Sequence, residues 1–274
     1  MSRKPTISII IPTLNEEKFL PNLLDSIVRQ TEKPCEVIVA DGGSNDRTVS
    51  VAGSYKKKLP IRVVGCARPG VSLQRNKGAS ETKGEWLVFV DADSVLLPYC
   101  LSRLVDFIQT EKPKFVTSWG KPDSVVPQDS LSTLLYNMVL EGGILFHKQI
   151  SPGPFTAIDR QMFITVGGYD ESVEFGEDQQ LSQRLADRGV PLAILRETLY
   201  IWSMRRFRSL GVLRSGQVYI KAALRVLFTG KNYTHMPGYI MGGQVYAKPK
   251  HITHYSYLKK YRERLKKIMR RMIE

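Results

Sequence analysis

The sequence predicts an α/β fold built on a mainly parallel sheet flanked by helices. Three observations carry that prediction. Short β-branched runs alternate with stretches of helical periodicity from Ile7 to Trp119. The loops between them are short. Polar, carboxylate-bearing clusters follow three of the runs. Alternation of this kind argues for parallel strands joined by right-handed crossovers. Ligands of such sheets bind beyond the carboxyl ends of the strands.

Each element has a local reason. Ile7-Ser-Ile-Ile-Ile11 is a short β-branched run stopped at Pro12, which reads as a buried strand. Between Glu16 and Gln30, Phe19, Leu20, Leu23, Leu24 and Ile27 recur at helical spacing. Glu36–Ala40 is a second strand, and a helix follows from Asp46 with Ser44 or Asn45 as its expected N-cap. Ile61–Val64 is a third strand and Leu73–Ser80 a short helix. Glu85–Val90 is a fourth strand, Pro98 opens a helix to about Thr110, and Lys114–Trp119 is a further strand. The second half is less regular. Leu131–Phe146 is apolar around Gly142-Gly143, and Ser151-Pro-Gly-Pro154 is a turn. Arg160–Val166, Gln179–Arg188 and Leu210–Phe228 read as helices. Tyr257–Ile273 carries Leu258, Tyr261, Leu265, Ile268 and Met272 on one stripe among lysines and arginines, a basic amphipathic helix.

Composition narrows the class. Hydrophobic residues make up 42% and charged residues 24% of 274 residues, which excludes a disordered, collagen-like or disulfide-scaffold chain. Cys35, Cys66 and Cys100 are odd in number and irregular in spacing, which suits a reducing compartment. No run of about 18 uncharged apolar residues occurs, so no membrane-crossing helix is expected. The first apolar run is too short for a signal peptide. The expectation is a cytoplasmic chain, peripheral on the cytosolic membrane face if its basic helix meets lipid. The net charge of +14 is lopsided: residues 196–274 hold 18 lysines and arginines against three glutamates, while the rest is close to neutral. A basic end on a neutral body suits an anionic partner, of which a membrane surface or a phosphorylated substrate fits better than nucleic acid. A solvated basic surface is the plainer alternative.

Several clusters bear chemistry. Asp91-Ala-Asp93 follows an apolar strand. Two carboxylates so placed suit Mg²⁺ or Mn²⁺, which take oxygen ligands and keep substrate phosphates in their shell, although capping aspartates also follow strands. Asp41-Gly-Gly-Ser44 permits close backbone approach, or is simply a tight turn. Arg75 is a candidate partner for a phosphate or carboxylate, or a surface arginine. Glu177-Asp178 opens a helix, where acidic residues answer the helix dipole. Asp178 is equally placed to act as a general base at the sheet edge. Arg205 and Arg206, in Ser203-Met-Arg-Arg-Phe-Arg208, suit a diphosphate clamp or belong to the basic end.

Six segments together resemble family 2 glycosyltransferases, inverting enzymes of the GT-A fold. They are Ile9-Ile-Ile-Pro-Thr-Leu-Asn-Glu16, Val39-Ala-Asp-Gly-Gly-Ser-Asn-Asp-Arg-Thr48, Arg75-Asn-Lys-Gly-Ala79, Val88-Phe-Val-Asp-Ala-Asp93, Val166-Gly-Gly-Tyr-Asp-Glu171 and Phe175-Gly-Glu-Asp178. The likeness spans residues 6–210, in the family's order. It implies a GT-A catalytic domain over residues 1–208, its sheet binding a nucleotide, and a basic helical extension over residues 209–274. It implies that Pro12, Thr13, Glu16 and Asp41 line the nucleotide pocket. Asp93 would ligate a divalent cation with Asp91 beside the ribose or cation, Arg75 would lie near the donor phosphates, and Arg205 and Arg206 would occupy a variable basic segment. Asp178 matches the catalytic base. The implied donor is a UDP- or GDP-linked sugar, and the implied acceptor a sugar, a polyprenyl phosphate or a lipid-linked glycan. The polymer-synthase signature Gln-x-x-Arg-Trp is absent, which argues against a processive synthase. Two rival readings are a nucleotidyltransferase, which wants a Gly-rich loop where Pro12–Glu16 stands, and a module binding anionic surfaces or nucleic acid.

Overall fold

The computed structural model describes residues 3–123, 137–138, 140–144, 149–173 and 175–205. The helices expected at 210–228 and 257–273, the boundary near residue 208, and Arg206 lie outside the described residues. In chain order the elements are β1 (Ile7–Thr13), α1 (Leu20–Val28), β2 (Glu36–Asp41), α2 (Thr48–Ser54), β3 (Ile61–Gly65), α3 (Val71–Ser80) and β4 (Trp86–Val90). There follow β5 (Val95–Leu96), α4 (Cys100–Glu111), β6 (Phe115–Pro122), β7 (Phe155–Asp159), α5 (Arg160–Thr165), α6 (Glu177–Ala186) and β8 (Ala193–Trp202).

One eight-stranded sheet runs in the order β3-β2-β1-β4-β7-β6-β8-β5. The pairs β3–β2, β2–β1, β1–β4 and β6–β8 are parallel. β7 is wedged antiparallel between β4 and β6, and β5 lies antiparallel on β8. All strands except β7 and β5 therefore point the same way, and their carboxyl ends share one edge. Because Val90 pairs with Phe155, the loop entering β7 meets that same edge.

Period-two alternation splits the core into two layers. Ile9, Ile11, Val88 and Val90 face one layer with α1 and α4, while Ile10, Leu87 and Phe89 face the other with Phe163 and Leu181. On that second side α3 lies close against β1. A Cβ on Gly78 would sit 2.4 Å from Ile10 Cγ2, so only glycine allows the approach.

Three local expectations change. The first helix begins at Leu20 rather than Glu16, with Pro21 in its first turn, where no N–H is needed. Neither Ser44 nor Asn45 caps α2, which begins at Thr48; Asp46 accepts the Thr48 N–H at 2.9 Å. Ser44 instead donates its hydroxyl to Asp41 Oδ1 at 2.6 Å. Finally, β7 and β8 stand where no strand was anticipated. Register shifts around Trp119 interrupt the β6–β8 pairing, and with it the simple alternation that would have marked β8.

Candidate active site at the carboxyl edge of the sheet

The strand ends are tied together first. Thr13 and Asp41 are register partners at the ends of β1 and β2, and the Thr13 hydroxyl donates to Asp41 Oδ1 at 3.1 Å. The other Asp41 oxygen accepts the N–H groups of Gly43 and Ser44. From α3, Gln74 Nε2 donates to the carbonyls of Thr13 and Ala40, at 2.6 and 2.9 Å. Pro12, opposite Ala40, closes this corner. Asp41 is buried and serves as the hydrogen-bond centre of its loop.

A second cluster joins the two extremes of the described chain. Arg205, just past β8, donates from Nη1 and Nη2 to the two oxygens of Glu16, at 2.7 and 2.5 Å. Its Nε lies 2.9 Å from Asp93 Oδ2, and its plane stacks over Phe19 with 4.7 Å to the ring centre. Glu16 and Arg205 are both buried. Burial pushes the Glu16 carboxyl upward, while the hydrogen bonds from Arg205 pull it back down. Asp123, at the end of β6, sets the turn that delivers Arg205: its carboxylate accepts the Met204 N–H at 2.9 Å.

The third cluster is centred on Arg75 of α3, whose side chain is only 2% exposed. Nη1 donates to Glu177 Oε1 at 3.0 Å and to Asp178 Oδ1 at 2.6 Å. Nη2 donates to Asp91 Oδ1 at 3.0 Å and to the Gly153 carbonyl at 3.2 Å. The guanidinium also stacks over Tyr169, 5.0 Å from its centre. Asn76 holds the neighbouring loop by donating to the Tyr169 carbonyl and accepting its N–H. Burial, with Glu177 and Asp91 nearby, drives the Asp178 carboxyl well above the usual carboxylate range, against the pull of Arg75.

The sheet edge thus gathers Pro12, Thr13, Glu16, Asp41, Arg75, Asp91, Asp93, Asp178 and Arg205. Arg75, which the sequence left open as a surface residue, is buried behind carboxylates. The carboxylates at the start of α6 turn to Arg75. Glu177, Gly153, Tyr169 and Asp123 carry parts of the site that sequence reasoning did not assign. Glu177 was visible inside its motif, whereas Asp123 and Gly153 had no signal beyond a strand end and a turn. Among the described residues no three His, Cys, Asp or Glu side chains converge as a complete metal site. Asp91 and Asp93 supply oxygen atoms of the kind a hard divalent cation takes, and each is paired with a guanidinium. Five carboxylates (Glu16, Asp91, Asp93, Glu177 and Asp178) face two guanidiniums, and such cations fill the rest of their shell with phosphate oxygens and water.

A mainly parallel sheet carrying a carboxylate-rich edge of this design defines the GT-A class of fold. The chain belongs to glycosyl transferase family 2, whose sequence model matches residues 8–167. An uncharacterized glycosyltransferase of Haemophilus influenzae is 30% identical over 183 residues, 65% of this chain and 61% of that protein. The validoxylamine A glucosyltransferase of Streptomyces hygroscopicus subsp. limoneus is 29% identical over 236 residues, 72% of this chain and 51% of its own. The chain therefore spans 61% and 51% of the lengths of these two relatives. Among solved structures, S. aureus TarS 1-349 in complex with UDP-GlcNAc superposes with a TM-score of 0.60 at 21% identity, covering 72% of this chain and 58% of that one. The mannosyltransferase PcManGT of Pyrobaculum calidifontis, in complex with GDP-Man and Mn²⁺, gives 0.61 at 20% identity, covering 80% and 65%. At these identities the likeness establishes the fold.

Proposed function

We propose that the protein is an inverting glycosyltransferase that moves a sugar from a nucleoside-diphosphate sugar to an acceptor hydroxyl or phosphate. The observation that carries this reading is the meeting of Asp178 with Asp91 through one guanidinium, on the sheet edge where Asp93 also lies. Membership in glycosyl transferase family 2 supports it. So do the nucleotide sugars bound by TarS and PcManGT.

In this reading the corner of Pro12, Thr13 and Asp41 receives the nucleotide. Asp93, with Asp91 nearby, holds a divalent cation, and Mn²⁺ in PcManGT supports that choice. Such a cation offsets the charge that builds on the departing diphosphate. Arg205, paired with Asp93, adds positive charge on the same side, and Arg206, its neighbour in the sequence, is a further candidate for the diphosphate. Asp178 takes the proton from an acceptor hydroxyl on the face of the sugar opposite the diphosphate, and displacement from that side inverts the anomeric centre. An acceptor phosphate is already ionised, and Asp178 then orients it.

The acceptor is a sugar or a lipid-linked phosphate. The basic residues of 196–274 favour an anionic membrane surface over nucleic acid. Among the described residues no helix is long and apolar enough to cross a membrane. Peripheral attachment at the cytosolic face is the corresponding proposal.

The test is a thermal-shift panel of UDP, GDP, CDP, TDP and ADP with and without Mn²⁺, followed by turnover of the matching nucleotide sugars. A ligand that binds only the folded state raises the melting temperature. A cation-dependent rise with one nucleotide and turnover of its sugar are expected. No rise with any nucleotide overturns the reading.

A further inference from the structure

We propose that Arg75 is a positioning residue rather than a donor-phosphate ligand. It registers the base Asp178 against the donor-side Asp91, and Gly153 is the residue whose missing side chain lets it do so. The role rests on the transferase reading above.

The stoichiometry of the guanidinium is the first argument. It has five N–H donors and no acceptor. All four Nη hydrogens are used, by Glu177, Asp178, Asp91 and the Gly153 carbonyl. The remaining Nε is buried away from solvent. A diphosphate reaching this arginine would have to displace one of the carboxylates it holds. The fork instead divides its work: Nη1 faces the first turn of α6, and Nη2 faces the end of β4 and the loop before β7. One rigid planar group thus sets the separation of the two sides of the site.

The mounting is the second argument. Arg75 rises from α3, which the close approach of Gly78 to Ile10 holds against β1. Asp178 is mounted on α6, and that helix is bolted to the loop before β7. Ser151 N–H donates to Ser182 Oγ at 2.9 Å, the same hydroxyl donates to the Asp178 carbonyl at 2.7 Å, and Gln149 Nε2 donates to the Ser182 carbonyl.

Gly153 is the third argument. A Cβ there would lie 2.8 Å from Asp178 Oδ2 and 3.2 Å from Arg75 Nη2. Its backbone is not among the positive-φ positions, so space rather than conformation demands glycine. Pro152 and Pro154 stiffen the loop on both sides, so an added methyl is met by movement of Asp178 or Arg75.

The decisive variants are Gly153→Ala, which keeps every charge, and Arg75→Lys, which keeps the charge but loses the fork. Each is compared with the unsubstituted chain for kcat and KM with the nucleotide sugar that it turns over, and for thermal shift with the free nucleotide and Mn²⁺. A misplacement near 1 Å can cost about 10²-fold in rate. The expected result is a fall in kcat of about that size in Gly153→Ala, with KM for the donor and the nucleotide shift within about threefold. The acid limb of its pH profile should also move, because Arg75, Glu177, Asp91 and Tyr169 all face Asp178. Loss of the nucleotide shift in Arg75→Lys with kcat retained would make Arg75 a donor ligand and overturn the proposal. Unchanged kcat and pH profile in both variants overturn it as well, with the transferase reading intact. Absence of turnover by the unsubstituted chain with any nucleotide sugar overturns that reading instead, and this role with it.

Discussion

Arg205 grips both oxygens of Glu16 across 189 positions of sequence, at 2.7 and 2.5 Å, with both side chains buried. The pair closes the carboxyl edge of the sheet by joining the segment after β8 to the loop after β1. Removing one partner of a buried ion pair leaves an uncompensated charge, which typically costs about 3–5 kcal/mol. Arg205→Ala should therefore destabilise the protein strongly in chemical denaturation. The double variant Arg205→Met with Glu16→Gln should recover part of the loss. Equal losses in the single and double variants would show that the pair is not an energetic unit.

Asp178→Asn should leave the nucleotide-induced thermal shift nearly intact and lower kcat by about 10²–10⁴-fold, the usual worth of a general base. Full activity in this variant would remove Asp178 from the chemistry.

The pH dependence follows in sign from the environment of Asp178. Burial, Glu177 and Asp91 raise its proton affinity above the ordinary aspartate value, against Arg75. A base works in its ionised form. With a hydroxyl acceptor, kcat should climb with pH through a midpoint above the usual carboxylate range and level off beyond it. A midpoint at the ordinary aspartate value would contradict the buried setting.

Asp93→Ala should abolish the Mn²⁺-dependent part of the nucleotide thermal shift while leaving any cation-independent part. The fold should tolerate the change, because Arg205 keeps Glu16 as its principal partner. A cation-dependent shift equal to that of the unsubstituted chain would move the cation away from Asp93.

Gly78→Ala tests the packing of α3. Alanine favours a helix over glycine by about 0.5–1 kcal/mol. A Cβ 2.4 Å from Ile10 Cγ2 overpacks the interface, which typically costs about 1–3 kcal/mol. The second effect is larger, so the melting temperature should fall. A rise would mean that α3 can lift from β1 at little cost.

Much of the fold was legible because its signals are local. Ile7–Ile11, Glu36–Ala40 and Glu85–Val90 are mostly apolar runs of strand length, and α1 between the first two carries its own helical periodicity. Three strand ends rich in Asp, Glu and Gly then announced the edge where chemistry would gather. The loops after β1, β2 and β4 keep that promise, since parallel strands must release their carboxyl ends together.

Partnership among the charged side chains was not legible. Whether Arg75 met solvent, a phosphate or a carboxylate depended on where α6 and the loop before β7 came to rest, and both lie far along the chain. The insertion of β7 against the direction of its neighbours brings Gly153 to the base. The turn held by Asp123 brings Arg205 back to Glu16. Hydrophobic period is written residue by residue in the chain. A buried ion pair exists only once packing has excluded water from two groups that the chain itself keeps far apart.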